Sequence, residues 1–262
     1  MLRHLRIIRV FVAASTQQEL AYHANFAISL LNALLKLATG WLGLVIVFEQ
    51  VDALNGWDYA AALAVLGVYL LVGALRDLVL APSLNQLAGL EGDIWQGTFD
   101  FVLLRPANTQ FLVSVRQWQI FAVFDVVMAL LVIAAACAQI TLTAANLLAF
   151  LLLLTGGVIT IYAMMLIFSS LLFWSPGFLF TWVFDGIFQM ARYPVGIYPG
   201  ALGLLLTWVI PIGIITTVPA QALTGDISAE MMLATLIFAV VALAVASLLF
   251  RRATNRYASA SS

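Results

Sequence analysis

Four ionisable side chains lie inside or beside long apolar runs of this sequence: Lys36, Asp77, Asp125 and Asp185. A charge at the centre of a bilayer costs about 2.5–3.5 kcal/mol on insertion scales, so such side chains face protein or water and often serve function. We expect Lys36 and Asp125 to pair across a helix contact, either in a substrate site or as a structural ion pair. A lysine that extends to the membrane surface is a further alternative. Asp77 directly follows Arg76 and is expected at the membrane surface.

The sequence lacks the residues that most enzymatic sites need. Lys36 is the only lysine and no glycine precedes it at the required spacing, which excludes a phosphate-binding G-x-x-x-x-G-K-[ST] loop. His4 and His23 have no partner at metal-ligand spacing, and no G-x-S-x-G elbow is present. We therefore predict no catalytic, cofactor-binding or metal site in this chain. No basic tract indicates nucleic acid as a partner.

A polar segment between two apolar runs carries a second group of charges. It reads APSLNQLAGLEGDIWQGTFDFVLLRPAN, and its prolines at 82 and 106 end helices. Apolar and polar positions recur at helical spacing, which predicts an amphipathic helix over residues 82–106, bent or broken around Gly89 and Gly92. A simple loop at the membrane surface is the alternative. Its polar, charged and helix-breaking positions include Glu91, Asp93, Gly97, Asp100, Arg105 and Pro106.

The composition places these residues in a membrane protein. Of 262 residues, 64% are hydrophobic and 9% are charged, with a mean hydropathy of +1.09, whereas a soluble domain has about 25% charged residues. Apolar runs close to the length of a membrane helix occur at about 26–48, 59–80, 112–137, 146–173, 197–218 and 230–250. The prediction is an all-α polytopic membrane protein with about six transmembrane helices within residues 26–250.

Positive charge concentrates at one set of connections. Arginines precede the first apolar run, surround the second connection, lie between the fourth and fifth runs, and follow the sixth. The opposite connections hold acidic residues and neither Lys nor Arg. Because Lys and Arg are retained on the cytoplasmic side, we predict that both termini are cytoplasmic. The same rule predicts a second cytoplasmic connection over residues 174–196 and a cytoplasmic tail over 251–262.

Residues 1–25 predict a helix that lies on the cytoplasmic membrane surface. Leu2, Leu5 and Ile8 share one helical face and Arg3 and Arg6 another, which suits contact with apolar and anionic parts of membrane lipids. The arginines interrupt the apolar residues, unlike in a signal peptide. The helix could anchor the chain or act as an elbow that transmits movement to the first span.

Two prolines late in the chain predict an irregular membrane segment. Pro211 removes a backbone hydrogen bond from the fifth apolar run, so the helix kinks or unwinds there. Unwound backbone at membrane depth must be covered by protein or line a water-filled cavity. A re-entrant segment over residues 211–225, which contains Pro219, would meet that condition near the outer face and could act as a gate. An ordinary kinked helix end is the alternative.

Two separated motifs carry a family resemblance. One is GTFDFVLLRPAN at residues 97–108. The other is a series of proline pairs: Tyr193-Pro194, Tyr198-Pro199, Ile210-Pro211 and Pro219-Ala220. In this order the motifs resemble bacterial ABC-2-type transporter permeases, in their six-helix branch of similar length, and the similarity extends over nearly the whole chain.

The resemblance implies the permease subunit of an ATP-binding-cassette exporter in the bacterial cytoplasmic (inner) membrane. Such a permease pairs with a second permease, identical or related, and docks a separate cassette ATPase that holds ATP and Mg²⁺. Segment 82–106 then corresponds to the coupling helix, which the resemblance implies meets the ATPase through Glu91, Asp93, Gly97, Asp100, Arg105 and Pro106. A channel or secondary transporter without an ATPase is the alternative. That class usually shows internal repeats, and none is visible in this sequence.

Overall fold

The computed structural model describes residues 2–21, 23–89, 91–175 and 180–257. These residues are mostly helical and include no β-strand, which confirms the predicted all-α fold. In chain order the α-helices are α1 Leu2–Leu20, α2 His23–Phe48, α3 Tyr59–Leu75, α4 Ala81–Leu84, α5 Asp93–Gln96, α6 Asp100–Leu103, α7 Thr109–Val115, α8 Val123–Cys137, α9 Ala144–Leu171, α10 Phe180–Phe188, α11 Gly200–Leu204, α12 Val218–Thr224 and α13 Ala229–Arg256.

Long apolar helices make this chain a multi-pass membrane protein. Within the described ranges, five stretches are long and apolar enough to cross a bilayer: Ala24–Phe48, Tyr59–Leu87, Ile120–Cys137, Ala144–Leu171 and Ala229–Arg256. The second of these joins α3 to α4 through a π-turn, and a 3₁₀ turn ends it. A further pair passes the same test together but is bent by 74° at a short break.

Side-chain caps fix where several helices begin. The side chains of Asp58, Asn108, Thr143 and Ser228 each accept a hydrogen bond from the backbone N–H three residues later. Such a cap contributes about 1 kcal/mol. The cap at Asn108 starts α7, which ends before α8, so the apolar run predicted over 112–137 forms two helices with a turn between them.

The core centres on α3, which is buried along most of its length. Its Gly67 lies directly against α8, where an added Cβ would approach the Cγ1 of Ile133 to 2.7 Å. In α9, Gly157 lies against the chain just before α12, and an added Cβ would approach the carbonyl oxygen of Ile215 to 2.7 Å. Glycines at both positions let the helices and neighbouring backbone pack more closely than larger residues would allow.

One end of the bundle, here called the basic end, collects α1, segment 82–106 and the last turn of α13. Arg3 donates a hydrogen bond to the carbonyl oxygen of Pro106 at 2.6 Å. The rings of Phe99 and Tyr257 meet edge to face with their centroids 5.2 Å apart. These contacts hold the N-terminal helix and the C-terminal helix against the same polar segment.

The opposite end, here called the acidic end, holds the connections 49–58, 138–143 and 225–228. There the side-chain amide of Asn146 donates to the carbonyl oxygen of Leu223 at 3.4 Å, which ties the start of α9 to the end of α12. The two ends therefore differ in charge as well as in the elements that form them.

Residues 180–197 run along α3, from the level of Arg76 at its C-terminal end to the acidic end. Asp185 contacts Arg76 just after α3, with 2.5 Å between carboxylate and guanidinium. Further along, the side-chain amide of Asn55 donates to the carbonyl oxygen of Gly196 at 3.3 Å. This path is antiparallel to α3, which it follows from the level of Arg76 to the acidic end.

The path of 180–197 differs from the predicted connection over 174–196, of which residues 176–179 lie outside the described part of the chain. The prediction missed this path because it consists of the short helix α10 and two short 3₁₀ turns, with Pro194 between the two turns. A crossing without one continuous apolar helix has too weak a hydropathy signal to be recognised as a span.

The bent pair, Gly200–Val209 and Gly213–Thr224, begins and ends at the acidic end. Gly225, which follows it, lies beside Asn146 at the start of α9. Pro211 is buried at the break. The pair is therefore a hairpin that enters the bundle and returns, and not the fifth span predicted over 197–218. The predicted re-entrant segment 211–225 corresponds to its returning arm.

Candidate functional site

Segment 82–106 contains two very short helices after the end of the α3–α4 span. Between α5 and α6, Gly97 has a φ of 72°, a left-handed backbone conformation that favours glycine. Gly92 precedes α5, and an added Cβ there would meet the carbonyl oxygen of Ala88 at 2.4 Å. These glycines turn the segment twice, so its amphipathic pattern is spread over two helices.

The inner side of the segment is anchored in the bundle. Ile94, Phe99 and Val102 are buried in a cluster that includes Phe250 of α13. The ring of Phe99 meets Phe173, just after α9, with the centroids 5.1 Å apart. These apolar side chains therefore pack on protein and fix the segment to the bundle.

Two of the predicted partner-facing acids contact the chain itself. Asp93 accepts a hydrogen bond from the hydroxyl of Thr98 at 2.7 Å and forms an ion pair with Arg116. The carboxylate of Asp100 lies beside the hydroxyl of Tyr257. Burial raises the pKa of the Tyr257 phenol, and the nearby carboxylates raise it further. Asp93 and Asp100 thus hold the segment in place, a role that sequence reasoning missed.

The outer side of the segment exposes large apolar residues. Phe101 is 67% exposed, Leu104 is 79% exposed and Trp95 is 51% exposed. The exposed side chains of Glu91 and Arg105 accompany them. We call these five residues the coupling surface. The sequence analysis overlooked its apolar members because the pattern does not distinguish the buried apolar residues of the segment from the exposed ones.

A network of charges lies within the helix bundle. The ammonium of Lys36 is 3.1 Å from Asp125 Oδ1 and 3.3 Å from Asp77 Oδ2. Lys36 is twelve residues from each end of the span Ala24–Phe48. The structure therefore brings Lys36 and Asp125 together in the middle of the bundle and adds Asp77 as a second partner of the lysine.

Arg76 extends this network to a third carboxylate. Its Nη2 and Nε lie 2.8 Å and 3.0 Å from Asp77 Oδ1, and its Nη1 lies 2.5 Å from Asp185 Oδ1. Asp77 bridges two cations and so does not lie free at the membrane surface as predicted. The adjacency of Arg76 and Asp77 within an apolar stretch is the sequence signal that could have revealed the network.

Arg192 borders the same network without joining it. The guanidinium lies over the ring of Tyr69, 5.8 Å from its centroid. Its Nε is buried and has no hydrogen-bond partner among the described residues. A cavity of about 310 Å³ is lined by Arg192 together with the charged pairs, and Asp185 and Gln189 contribute to its wall. Arg192 was expected in a connection at the basic end, but it lies inside the bundle.

The hairpin forms a second cavity near the acidic end. Pro211 lies at the hairpin break and Pro219 in the first turn of α12, where both are buried. The cavity, of about 360 Å³, is lined by Trp57, Trp208 and Gln221 among others. The two prolines thus shape the wall of a cavity, and their role as a gate stays a prediction.

The described residues contain no group of three or more His, Cys, Asp or Glu that could hold a metal ion.

A family model described as "ABC-2 family transporter protein" matches residues 34–261. No curated protein and no solved structure matches the chain. The matched range includes the coupling surface, the charge network and the hairpin.

Proposed function

Because the chain belongs to the ABC-2 transporter family and is a membrane subunit of an ABC transporter, we propose that it is an export permease that docks a separate cassette ATPase. The docking site in this proposal is the coupling surface. The permease forms half of a translocation path and pairs with a second permease, either a copy of itself or a related chain. ATP and Mg²⁺ are held by the ATPase.

The observation that carries the docking proposal is an exposed apolar surface on a fixed base. Trp95, Phe101 and Leu104 project outward, while Phe99 and Val102 of the same segment are buried beneath them. Protein interfaces place aromatic and aliphatic anchors at their centre with charged residues at the rim. Glu91 and Arg105 are suited to such a rim. Because the segment is packed firmly on the bundle, it could transmit a movement of the ATPase to the membrane helices.

The charge asymmetry supports a cytoplasmic position for this surface. The basic end carries Arg105 and the arginines of α1 and α13. The connections at the acidic end contain neither Lys nor Arg. Positive residues are retained in the cytoplasm, where ATP is available. In this orientation both termini are cytoplasmic, and the hairpin lies near the outer face of the bacterial inner membrane.

Co-purification tests the docking proposal directly. The chain is co-expressed with the cassette ATPase that this proposal assigns to it, and the amount of ATPase retained on the purified permease is measured. The double substitution Phe101→Ala and Leu104→Ala should reduce retention at least tenfold, because an interface anchor often contributes more than about 1.4 kcal/mol, which corresponds to tenfold.

The matched control is Leu5→Ala, which removes another exposed apolar side chain at the basic end, outside the coupling surface. This variant should retain the ATPase. Expression and thermal unfolding of each permease variant show whether the protein is intact. Full retention by an intact double variant would contradict docking at this surface.

A further inference from the structure

Arg192 has an unusual environment for a cation within a membrane protein. A guanidinium carries five N–H donors and is always charged. The Nε of Arg192 is buried and has no acceptor among the described residues. The ring of Tyr69 covers one face of the group. Since leaving a buried polar group without a partner is costly, a ligand that places an acceptor at the Nε of Arg192 would stabilise this region.

The neighbouring carboxylates are already engaged. Asp77 uses Oδ1 for Arg76 and Oδ2 for Lys36. Asp185 uses Oδ1 for Arg76, and Asp125 uses Oδ1 for Lys36. Arg192 could bond these oxygens only by displacing an existing cation. The second oxygens of Asp125 and Asp185 meet no described donor, but neither carboxylate forms an ion pair with Arg192. A bound ligand can therefore supply the acceptor that the Nε of Arg192 lacks.

The cavity beside Arg192 has room for such a group. Its volume of about 310 Å³ is well above the space that a single water molecule needs. Tyr69, Gly73 and Gln189 line it together with Arg192 and Asp185. The wall thus combines an aromatic ring, an amide, a cation and a carboxylate.

Charge balance limits what this cavity can hold. The three cations Lys36, Arg76 and Arg192 match the three carboxylates in number, so the empty site is formally neutral. An anion alone would leave a net negative charge in a low-dielectric region, which is unfavourable. A ligand that also carries an amine avoids this cost. Asp185 can accept the amine, because its side chain is 45% exposed and its Oδ2 has no donor among the described residues.

We propose that this cavity binds a zwitterionic group of the transported molecule. A carboxylate or phosphate oxyanion lies on Arg192, whose planar guanidinium suits two parallel hydrogen bonds. The ammonium group of the same molecule lies toward Asp185. This inference rests on the proposed transport function and adds the chemical class of the substrate. Water-soluble molecules and lipid headgroups share that chemistry.

Chemical modification of arginine tests the site in the unaltered protein. The full chain is purified in uncharged maltoside micelles and treated with phenylglyoxal, and peptide mass spectrometry follows modification at Arg192 and at the exposed Arg252. O-phosphoethanolamine should slow modification of Arg192 at least tenfold and leave Arg252 unchanged. Inorganic phosphate should protect Arg192 much more weakly, and ethanolamine should not protect it.

A lipid arm of the experiment distinguishes the two sources of this chemistry. Phosphatidylethanolamine added to the micelles should protect Arg192 if the ligand is a lipid headgroup. Protection by soluble O-phosphoethanolamine with no effect of the lipid would identify a water-soluble ligand. Equal modification of Arg192 under all of these conditions would overturn the proposal.

Two variants separate the oxyanion half of the site from the ammonium half. Thermal unfolding with and without O-phosphoethanolamine should show a stabilising shift in the wild type that Arg192→Gln loses and Arg192→Lys keeps in part. Asp185→Asn should respond equally to O-phosphoethanolamine and phosphate. If Asp185→Asn still distinguishes them as the wild type does, the ammonium assignment is wrong.

Arg192 could also be protected from phenylglyoxal in a dimer without any ligand and become reactive when the dimer dissociates. That result would assign the acceptor to a second copy of the chain and overturn the proposal. These measurements use the permease alone. A failure of ATPase docking would therefore count against the proposed function, while the modification of Arg192 could still be measured and interpreted.

Discussion

At the scale of single residues, Asp77 has the largest expected effect on stability because two cations share it. Its two carboxylate oxygens contact Lys36 and Arg76, which come from different helical stretches. Lys36 keeps Asp125 as a second partner, and Arg76 keeps Asp185. Removing the Asp77 charge therefore weakens the network at its centre without leaving either cation wholly unpaired.

Asp77→Asn should destabilise the protein by about 2–3 kcal/mol. This is below the roughly 3–5 kcal/mol for breaking a fully buried pair, because Lys36 is half exposed and both cations retain a carboxylate. Thermal unfolding in detergent measures the effect. Asp226→Asn is the control, since Asp226 is exposed at the acidic end. An unfolding temperature unchanged by Asp77→Asn would show that the network contributes no net stability.

At the scale of helices, sequence reasoning succeeded where one long apolar run makes one helix. The runs predicted at 59–80 and 146–173 became long buried helices, because length and hydropathy alone determine such spans. It failed where prolines divide the chain. Residues 180–197 cross the bundle in short pieces, and residues 197–218 turn back, because contacts with α3 and α9 rather than local hydropathy decide those paths.

The same limit applies to the candidate site. The pairing of Lys36 with Asp125 was predictable from opposite charges in two apolar runs, and the structure brings them to 3.1 Å. The contribution of Asp185 depended on the path of α10, which the sequence did not reveal. The position of Arg192 depended on that path as well.

The hairpin depends on a close approach that a single methyl group should disturb. In Gly157→Ala the new Cβ would lie 2.7 Å from the carbonyl oxygen of Ile215, a backbone atom that cannot move alone. Overpacking of this kind costs about 1–3 kcal/mol. We expect a lower unfolding temperature and weaker protection of amides 213–217 in hydrogen exchange.

The adjacent glycine provides a matched control for this prediction. In Gly156→Ala the nearest heavy atom to the new Cβ is Cδ2 of Leu236 at 3.5 Å, an ordinary contact. Alanine also favours the helix more than glycine does, so this variant should be as stable as the wild type or more so. If both substitutions had equal effects, the close packing of the hairpin on α9 would not explain either of them.

At the scale of the whole molecule, the path of residues 180–197 determines which side of the membrane the hairpin occupies. If these residues cross the bundle, the hairpin starts and ends at the acidic end, and α13 returns the chain to the basic end. If they instead stayed at the basic end, as the arginine pattern alone suggested, Pro199 would lie with the cytoplasmic connections. The two arrangements place exposed residues on opposite sides.

Thiol labelling in intact cells separates these arrangements. In a Cys137→Ala background, we expect a cysteine at the exposed position Pro199 to react with a membrane-impermeant maleimide added outside, as a cysteine at the exposed Thr141 should. A cysteine at the exposed Ser175 should react only after the cells are opened. Transport activity of each variant shows that the fold is retained. Labelling at Thr141 but not at Pro199 would reject the crossing by 180–197, because these positions share the outer face only if that segment traverses the membrane.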